Sequence, residues 1–290
     1  MPAFDVIVCG SLHLDIMVHA PNLPRPDETV VGTRWALQCG GKGGNQAVMA
    51  ARAGARTAMI GKVGDDDFGR RLLAHLTASR VDARAVLVDA VAGSGISAAI
   101  VREDGEYGAV IVSGANLNIE PSVAAGAWRE VGGAKILVLQ NEIPEAANMA
   151  AAQAARLSGA AVIVNAAPAR ALSPELCEGV DILIVNRVEA EMMSGESLRD
   201  EASAFAVAER LGAGQASVII TLGGEGLIVK AAEGLIRRIA PKPVKVVSSH
   251  GAGDCFVGSL AAKLAQGGAL IEAAEFANAA AAAHVSRNRD

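Results

Sequence analysis

The chain has 290 residues, of which 51% are hydrophobic, 20% are charged and 3% are aromatic, and its formal net charge is -5. Its length allows one large α/β domain or two small ones, with a core that must be built mostly from alanine, valine, leucine and isoleucine. The acidic balance, the lack of a basic run and the shortage of aromatic stacking platforms argue against nucleic acid as the main partner.

The four cysteines argue against a metal or disulfide framework. They stand at Cys9, Cys39, Cys177 and Cys255 and form no CxxC pair, so reduced thiols are expected. The chain runs directly into a strand-like segment at Phe4, without the pattern of a signal peptide, and no apolar run reaches the roughly 20 residues that cross a bilayer. We therefore expect a cytoplasmic protein with no membrane partner.

Two β segments near the N-terminus depart from a plain strand–helix alternation. A buried strand is predicted at 4–9 and ends in glycine. The alternating apolar and polar residues of 11–18 then predict a half-exposed strand with Asp15 on one defined face. Three prolines break the chain after it, and a further strand is predicted at 28–37.

A second pair of β segments also departs from the alternation of strands and helices. Residues 95–102 and 107–112 are predicted to form a hairpin around 103–105. Together with 11–18 and 28–37, they predict a small sheet beside the main one.

A glycine cluster at 40–44 is predicted to open a helix at 45–53. Its glycines allow the main chain to approach a ligand, and Lys42 and Asn45 can donate hydrogen bonds to it. The cluster is not a Walker A loop, because Gly43 follows the lysine where that motif requires serine or threonine. The alternative is a flexible loop with a helix cap.

The next predicted elements are a strand at 57–63 and a helix at 68–79. Three adjacent aspartates at 65–67 precede this helix, and helix capping is their expected role because the spacing of a calcium loop is absent.

From residue 120 onward, strands and helices alternate with short connections. This pattern predicts a parallel sheet covered by helices on both faces. The predicted helices are 121–130, 144–157, 173–178, 188–193 and 200–211, and the predicted strands are 135–139, 160–164, 181–185, 217–221 and 226–230.

Polar residues follow the ends of these strands. The ligand crevice of an open parallel sheet lies outside the carboxyl ends of its strands, so these residues are expected to meet there. Each is weak evidence alone, and the Asn-x-x-Glu spacing is by itself typical of a helix cap. The residues are Glu142, Asn186 with Glu189, and Thr221 with Gly223 and Gly226.

The segment Gly251-Ala252-Gly253-Asp254 opens a helix predicted to reach about Gln266. Its glycines allow the main-chain N–H groups to point at one place, and the helix adds its positive end there. Asp254 lies beside this anion socket, where it can take a proton from a hydroxyl that attacks the anion. This is the arrangement of phosphoryl transfer to an alcohol. The alternative is a glycine-rich turn that opens an ordinary helix.

Taken together, these motifs resemble those of the PfkB carbohydrate kinase family, and within it the ribokinase-like members. The similarity covers nearly the whole chain. It implies a ribokinase-like, three-layer α/β/α fold as one domain over 1–290, with a mostly parallel central sheet and a small β lid made of about 11–37 and 95–112. The segments that carry it are 10–15, 23–29, 40–47, 61–69, 139–144, 167–170, 186–191, 221–226 and 251–254.

The resemblance implies ATP-dependent phosphorylation of a hydroxymethyl group on a small, ribose-like sugar. Asp254 would be the general base, beside charge-stabilising main-chain N–H groups of Gly251, Ala252, Gly253 and Asp254 itself. The lid would exclude water, and a homodimer through the lid is expected. The implied sugar ligands are Asp15, Gly41, Lys42, Asn45, Glu142 and Asp254. The implied nucleotide-binding residues are Asn186, Thr221, Gly223, Gly226 and Asn278. Glu189 and Asn186 would organise Mg²⁺ through water.

One motif departs from the family pattern. The family usually has Asp-Thr-x before Gly-Ala-Gly-Asp, and its aspartate helps to hold a monovalent cation, whereas this chain has Ser248, Ser249 and His250. The usual glycine-containing tail is also missing. We therefore expect no K⁺ site, with His250 or Arg287 supplying the positive charge. The alternatives are that His250 only fills space, or that the loop marks a different substrate or a weaker enzyme.

The residues support a sugar over other substrates. Two carboxylates, Asp15 and Glu142, with an amide and an ammonium group suit a neutral polyol and suit a sugar phosphate poorly. Two other functions stay open. One is a nucleoside kinase of the same fold, which would require an apolar or aromatic base pocket. The other is a non-catalytic sugar- or nucleotide-binding protein, against which the retained Asp254 and its two glycines argue.

Overall fold

A computed structural model of the chain describes residues 2–102, 106–212 and 216–287. The predicted hairpin turn at 103–105 lies outside these residues. The strands are β1 Phe4–Cys9, β2 His13–His19, β3 Arg34–Gly40, β4 Thr57–Gly64, β5 Val81–Asp89, β6 Gly95–Val101, β7 Tyr107–Val112, β8 Ala134–Gln140, β9 Ala161–Asn165, β10 Ile182–Asn186, β11 Ser217–Thr221, β12 Leu227–Lys230 and β13 Ile236–Ile239. The α-helices are α1 Lys42–Arg52, α2 Asp67–Ala78, α3 Pro121–Glu130, α4 Glu145–Leu157, α5 Pro174–Cys177, α6 Arg187–Ser194, α7 Glu201–Leu211, α8 Ala252–Ala265 and α9 Leu270–Val285.

The central sheet has the strand order β13-β12-β11-β10-β9-β8-β1-β4-β5. Its pairs from β11 to β5 are parallel, and the β11–β12 and β12–β13 pairs are antiparallel. Because the parallel strands point the same way, the loops that follow β8, β9, β10 and β11 meet along one edge. The mostly parallel sheet that the alternation predicted is therefore confirmed.

Helices cover both faces of this sheet. One layer contains α3 to α7, and the other contains α1, α2, α8 and α9. Strand β1 is buried between them: Ile7 and Cys9 pack into one layer, and Val6 and Val8 pack into the other. This continuous apolar run is typical of a parallel strand covered on both sides. The three-layer α/β/α arrangement is confirmed. No described helix combines the length and the apolar character that a membrane span requires.

The small sheet consists of β3, β2, β6 and β7 in that order. Asp15 of β2 is in register with Gln38 of β3 and Ser97 of β6, so one face carries polar groups. The opposite face is apolar. It includes Leu37 and Trp35 of β3 and Val110 and Val112 of β7, and Trp35 and Val110 are 69% and 67% exposed.

The Asn116 side chain is one of the groups that join the small sheet to the rest of the protein. Asn116 follows β7, and its amide accepts from the Leu12 main-chain N–H at 2.8 Å and donates to the Leu12 carbonyl at 2.8 Å. Leu12 immediately precedes β2. A Cβ atom on Gly95, the first residue of β6, would lie 2.3 Å from the Asn116 amide nitrogen, so only glycine fits beside this tie.

The strand predicted at 28–37 is wrong in its first half, because β3 begins at Arg34. The register explains the difference: Arg34 pairs with His19, the last residue of β2. The Thr33 N–H donates to the His19 carbonyl at 2.8 Å, and residues 28–32 extend past this end of β2, although Val31 has a β-forming side chain.

The predicted start of the first helix is also wrong, because α1 begins at Lys42 and not at 45. Gly43 and Gly44 therefore lie in its first turn. A Cβ atom on Gly43 would stand 2.7 Å from the carbonyl carbon of Gly10, so this glycine allows the helix to approach the end of β1.

Helices α1 and α8 cross at a glycine. A Cβ atom on Gly258 would lie 2.5 Å from the Gln46 carbonyl oxygen and 2.8 Å from the Ala50 nitrogen. The absence of a side chain at Gly258 allows the two helices to pack closely. This contact brings α1 next to the first turn of α8, where Asp254 lies.

Candidate active site

Asp254 lies in the first turn of α8. The helix is preceded by Gly251, whose φ of 69° and ψ of 9° are in the left-handed region that favours glycine. The Ala252 N–H donates to the Ser249 carbonyl at 3.3 Å. Gly253 and Asp254 follow it in the first turn, where the helix offers their N–H groups no carbonyl partner of its own. Nothing lies within 4 Å of a Cβ atom placed on Gly253, so this side of the turn is open.

Two amides from α1 hold the Asp254 carboxylate. Asn45 Nδ2 donates to Oδ2 at 3.0 Å, and Gln46 Nε2 donates to Oδ1 at 3.0 Å. Asp254 is only 9% exposed. Burial raises the pKa of Asp254, while Lys42 and the two amides act in the opposite direction by favouring the ionised form.

Gln46 has further partners in the interior. It is fully buried, and its Nε2 also donates to Asn165 Oδ1 at 3.0 Å. Its Oε1 accepts from Gln140 Nε2 at 2.8 Å. Asn165 in turn donates to the Ile184 carbonyl at 3.2 Å. Sequence reasoning missed Gln46, Gln140 and Asn165, although Gln46 lies within the glycine-rich motif and the other two end strands β8 and β9.

A cavity of about 200 Å³ opens in front of this carboxylate. It lies at the carboxyl edge of the central sheet, as expected for a doubly covered parallel sheet. The predicted site residues that line it are Lys42, Asn186, Glu189, Thr221, Gly251, Ala252, Gly253 and Asp254.

Glu142 binds two segments of the chain at the site, one just before β2 and one at the start of α1. Its Oε2 accepts from the Ser11 hydroxyl and, at 2.9 Å, from the main-chain N–H of Lys42. His13 Nδ1 lies 3.8 Å from the same oxygen. Burial lowers the pKa of His13, the nearby Glu142 raises it and Lys42 lowers it. Ser11 and His13 are further site residues that the sequence did not single out.

Asp15 approaches the site from the small sheet. A Cβ atom on Gly40 would lie 2.2 Å from Asp15 Oδ2, so this glycine makes room for the carboxylate. Burial, followed by the charges of Glu142 and Asp254, raises the pKa of Asp15 from 3.8 to about 6. The small sheet and the central sheet thus bring three carboxylates into one electrostatic environment.

Asn186 and Glu189 form the start of α6. Asn186 Oδ1 accepts from the Glu189 N–H at 2.9 Å, and Glu189 Oε2 accepts from the Asn186 N–H at 2.8 Å, which is a capping box. Burial raises the pKa of Glu189. Among the residues that the structure describes, no group of three or more His, Cys, Asp or Glu side chains could hold a metal ion.

Three predicted nucleotide-site residues lie apart from this cavity. Gly223 belongs to a 3₁₀ turn after β11. Gly226, with φ of 92°, packs against the main chain after β13. Asn278 on α9 donates to the Ala240 carbonyl at 2.8 Å.

The altered loop at 248–250 rests on the end of α9. The main-chain N–H groups of Val247 and Ser248 both donate to the Val285 carbonyl, at 2.8 and 3.2 Å. The His250 N–H donates to the Ser248 hydroxyl at 3.3 Å. Burial raises the pKa of Cys255, and the hydrogen bond with Ser259 and the charge of Arg287 act in the opposite direction, so this arginine lies near the residue next to Asp254.

Comparison with known proteins agrees with this geometry. The model of the pfkB family of carbohydrate kinases matches residues 3–289. The chain belongs to the pfkB family of carbohydrate kinases. Mouse (Mus musculus) ribokinase is 37% identical over 266 residues, which cover 91% of this chain and 82% of the mouse protein. Ribokinase of Haemophilus influenzae is 33% identical over 281 residues, which cover 97% of this chain and 92% of that protein.

Solved structures show the same fold. Arabidopsis thaliana ribokinase complexed with ribose and ATP matches with a TM-score of 0.90 and 25% identity, over 99% of this chain and 94% of that chain. Thermotoga maritima ribokinase matches with a TM-score of 0.88 and 28% identity, over 98% and 93% of the two chains. The predicted PfkB family membership, ribokinase-like fold and carbohydrate kinase class are therefore confirmed.

Proposed function

We propose that this PfkB family member transfers the γ-phosphoryl group of ATP to a hydroxymethyl group of a small, ribose-like sugar. One observation carries the proposal. A buried carboxylate, Asp254, is held by two amide donors beside the open first turn of a helix and a cavity of about 200 Å³. The relatives are named ribokinases, and one solved relative contains ribose and ATP, which supports a sugar acceptor and ATP as donor.

The sugar would lie between the small sheet and α1. Asp15 and Glu142 would accept hydrogen bonds from its hydroxyls, and Lys42, Asn45 and the Gly41 main chain would complete the contacts. Asp15 and Glu142 offer carboxylate oxygens, and Lys42 and Asn45 offer N–H groups. Because a polyol both donates and accepts, it can use both types of partner.

Asp254 would act as general base in the transfer. It takes the proton of the sugar hydroxymethyl group as that oxygen bonds to the γ-phosphorus of ATP. The bond from the γ-phosphorus to the bridging oxygen breaks, and ADP leaves. Negative charge develops on the moving group, where the N–H groups of Gly253 and Asp254 and the positive end of α8 would stabilise it. Gly251 and Ala252 set the path of this turn.

The nucleotide would extend from the cavity toward β11 and α9. Asn186 and Thr221 line the cavity, and we assign Gly223, Gly226 and Asn278 to the outer border of the nucleotide site. Mg²⁺ would neutralise charge on the phosphates. The donor set fits this ion, since Glu189 and Asn186 supply hard oxygen atoms and Mg²⁺ in kinases keeps waters and phosphate oxygens as most of its ligands.

The small sheet would serve as a lid and as a homodimer interface. Its Asp15 face would cover the sugar and exclude water, which favours transfer to the sugar over hydrolysis. Its apolar face exposes Trp35, Val110 and Val112, and a second copy of this chain would cover it.

We also propose that turnover needs no K⁺, because Ser248 stands where the family has an aspartate and because Arg287 carries a positive charge close to the start of α8. A more than tenfold rise in turnover on adding K⁺ would refute this. A rate that does not depend on K⁺ would support it.

The function is tested with Asp254→Asn and a panel of pentoses, hexoses, ketodeoxy acids and nucleosides. The wild-type protein should release ADP fastest with a pentose. The variant should keep its fold and lose activity by about 10²–10⁴-fold, the range for removal of a general base. Undiminished turnover in the variant would contradict the proposal. A strong preference for nucleosides would instead indicate a nucleoside kinase.

A further inference from the structure

We propose that Gln46 is a positioning residue for Asp254, and that its side-chain amide, oriented by Asn165 and Gln140, keeps the Asp254 carboxylate ready to accept a proton. The amide chain consists of Gln46, Asn165, Gln140 and Asp254, joined by hydrogen bonds. This inference rests on the proposed role of Asp254 as the base. It assigns a role to a residue that does not itself line the cavity but bonds to two residues that do, Asp254 and Asn165.

The direction of every hydrogen bond in the amide chain follows from one carbonyl. The Ile184 carbonyl can only accept, so Asn165 must direct its NH₂ group toward it, 3.2 Å away. The Asn165 oxygen is therefore left for Gln46, and Gln46 must direct its NH₂ group toward Asn165. The same NH₂ group has its second hydrogen on Asp254 Oδ1, at 3.0 Å.

Gln140 bonds to the other end of the Gln46 amide. Its Nε2 donates to Gln46 Oε1 at 2.8 Å, in agreement with the orientation that the Asn165 contact requires of Gln46. Gln46 and Gln140 are both 0% exposed, so no solvent can replace a lost partner. A buried amide with one acceptable orientation presents a fixed donor, and Asp254 Oδ1 is thereby held as an acceptor.

The charges around Asp254 act on its ionisation in both directions. Lys42 on α1 favours the ionised form, but Glu142 after β8 opposes it, and burial opposes it most strongly. Asp15 on β2 and Glu189 on α6 also feel the charge of Asp254. On its own helix, the neighbouring Cys255 is buried. Three other carboxylates lie near Asp254, and the neutral donors Asn45 and Gln46 add to the stabilisation of the anion by Lys42.

The experiment replaces the Gln46 amide and measures the protonation of Asp254 directly. Gln46→Met has a similar length without donors, and Gln46→Glu keeps the shape but places an oxygen where the donor lies. The ¹³C signal of the Asp254 carboxyl group, assigned by its loss in Asp254→Asn, is titrated in protein labelled at aspartate. Gln266→Met is the matched control, since Gln266 is exposed and lies at the far end of α8.

In both Gln46 variants, we expect the Asp254 titration midpoint to rise by about one pH unit or more, with the larger rise in Gln46→Glu because like charges repel at this distance. The acidic limb of the kcat profile should shift by the same amount. At neutral pH, kcat should fall by about tenfold, while KM for sugar and for ATP changes by less than about threefold. The Gln266→Met control should match the wild type.

Two outcomes would overturn the inference: an unchanged midpoint in both Gln46 variants, or a raised KM with an unchanged kcat. The NMR titration needs no turnover, so it separates this inference from the proposed function. If the wild type is active but the Asp254 titration midpoint is unchanged in the Gln46 variants, the role of Gln46 is refuted and the proposed function still holds. If the titration midpoint shifts in the variants but the wild-type protein phosphorylates no sugar, the proposed function is wrong and the role of Gln46 in the amide chain still holds.

Discussion

Asp254 and Asp15 are carboxylates close enough to influence each other, but they are held in opposite ways. Asp254 lies between α1 and α8 and accepts hydrogen bonds from Asn45 and Gln46. Asp15 lies on the small sheet and, within the described part of the chain, its carboxylate accepts no hydrogen bond from a protein group. Burial raises the pKa of both groups, and only at Asp254 do neutral hydrogen-bond donors oppose this rise.

The contrast separates two tasks. A base must be in place before the reaction, and fixed dipoles that require no reorganisation supply this. A carboxylate that binds a sugar gains from having its partners supplied by the ligand, because binding then satisfies it. Changes around Asp254 should therefore affect mainly kcat, and changes at Asp15 should affect mainly KM.

Among changes that leave Asp254 itself in place, the largest effect is expected from Gly258→Ala, which pushes the two helices around Asp254 apart. The new methyl group would lie 2.5 Å from the Gln46 carbonyl oxygen, so α8 must move away from α1. A displacement of about 1 Å at a reacting group can reduce the rate about 100-fold. The free energy of unfolding should fall by about 1–3 kcal/mol, as measured by chemical denaturation.

The control for this change is Gly126→Ala in α3, where nothing lies within 4 Å of the added Cβ atom. This variant should gain about 0.5–1 kcal/mol in stability, since alanine is preferred to glycine inside a helix. Its kcat should not change. A Gly258→Ala enzyme with the wild-type kcat would show that the helix spacing does not set the position of the base.

An intermediate effect is expected from Asp15→Asn. Loss of a charged hydrogen-bond acceptor weakens binding by about 1.5–3 kcal/mol, so KM for the sugar should rise by roughly 10- to 100-fold while kcat falls less. The pKa of Asp15 is about 6, so the wild-type KM should fall as the pH rises through 6. The variant should lack this dependence. A pH-independent wild-type KM would contradict the assignment.

The same pKa shift affects stability. The folded protein keeps the Asp15 proton up to about pH 6, while the unfolded chain releases it near 3.8. Between these values the unfolded state binds fewer protons, so the contribution of Asp15 to the free energy of unfolding is lost as the pH rises. Asp15→Asn should therefore gain stability relative to the wild type between pH 4 and about 7. Gly126→Ala, which changes no titratable group, should differ from the wild type by the same free energy of unfolding throughout this pH range.

The smallest effect on catalysis is expected from Val110→Glu, on the apolar face of the small sheet. A charge on this face should dissociate the proposed homodimer, which sedimentation velocity would detect as a halved mass. Because Asp15 is on the other face, KM for the sugar should change by less than about threefold. Leu157→Glu, at the exposed last residue of α4, should remain dimeric. A monomeric wild type would refute the interface.

The sequence predicted those parts of the fold that depend on local patterns. Apolar runs predicted the strands, and the polar residues that follow them, Glu142, Asn186 and Thr221, predicted that the site lies at the carboxyl edge of the central sheet. Strands β5 and β13 were missed because charged residues interrupt their apolar patterns, as Arg237 and Arg238 do in β13. Helix α9 was missed because a run of alanines shows no polar face.

The parts of the site that could not be predicted depend on contacts distant in sequence. A glutamine in a helix usually faces solvent, and Gln46 is buried only because α1 crosses α8 at Gly258, more than 200 residues away in the chain. Ser11 and His13 meet Glu142 through the path between β1 and β2. No local periodicity encodes such crossings, whereas the Gly251–Asp254 turn is read from four adjacent residues.

The Asn116 tie has a consequence for how a substrate could enter. The hydrogen bonds to Asn116 fix the small sheet at Leu12, and those of Ser94 to Asp66 fix the chain just before β6. At about 3.3 Å per residue, Asp15 lies roughly 10 Å from Leu12 and His19 more than twice as far. A tilt about these fixed contacts would displace the outer end of the small sheet much more than Asp15, the carboxylate proposed to bind the sugar.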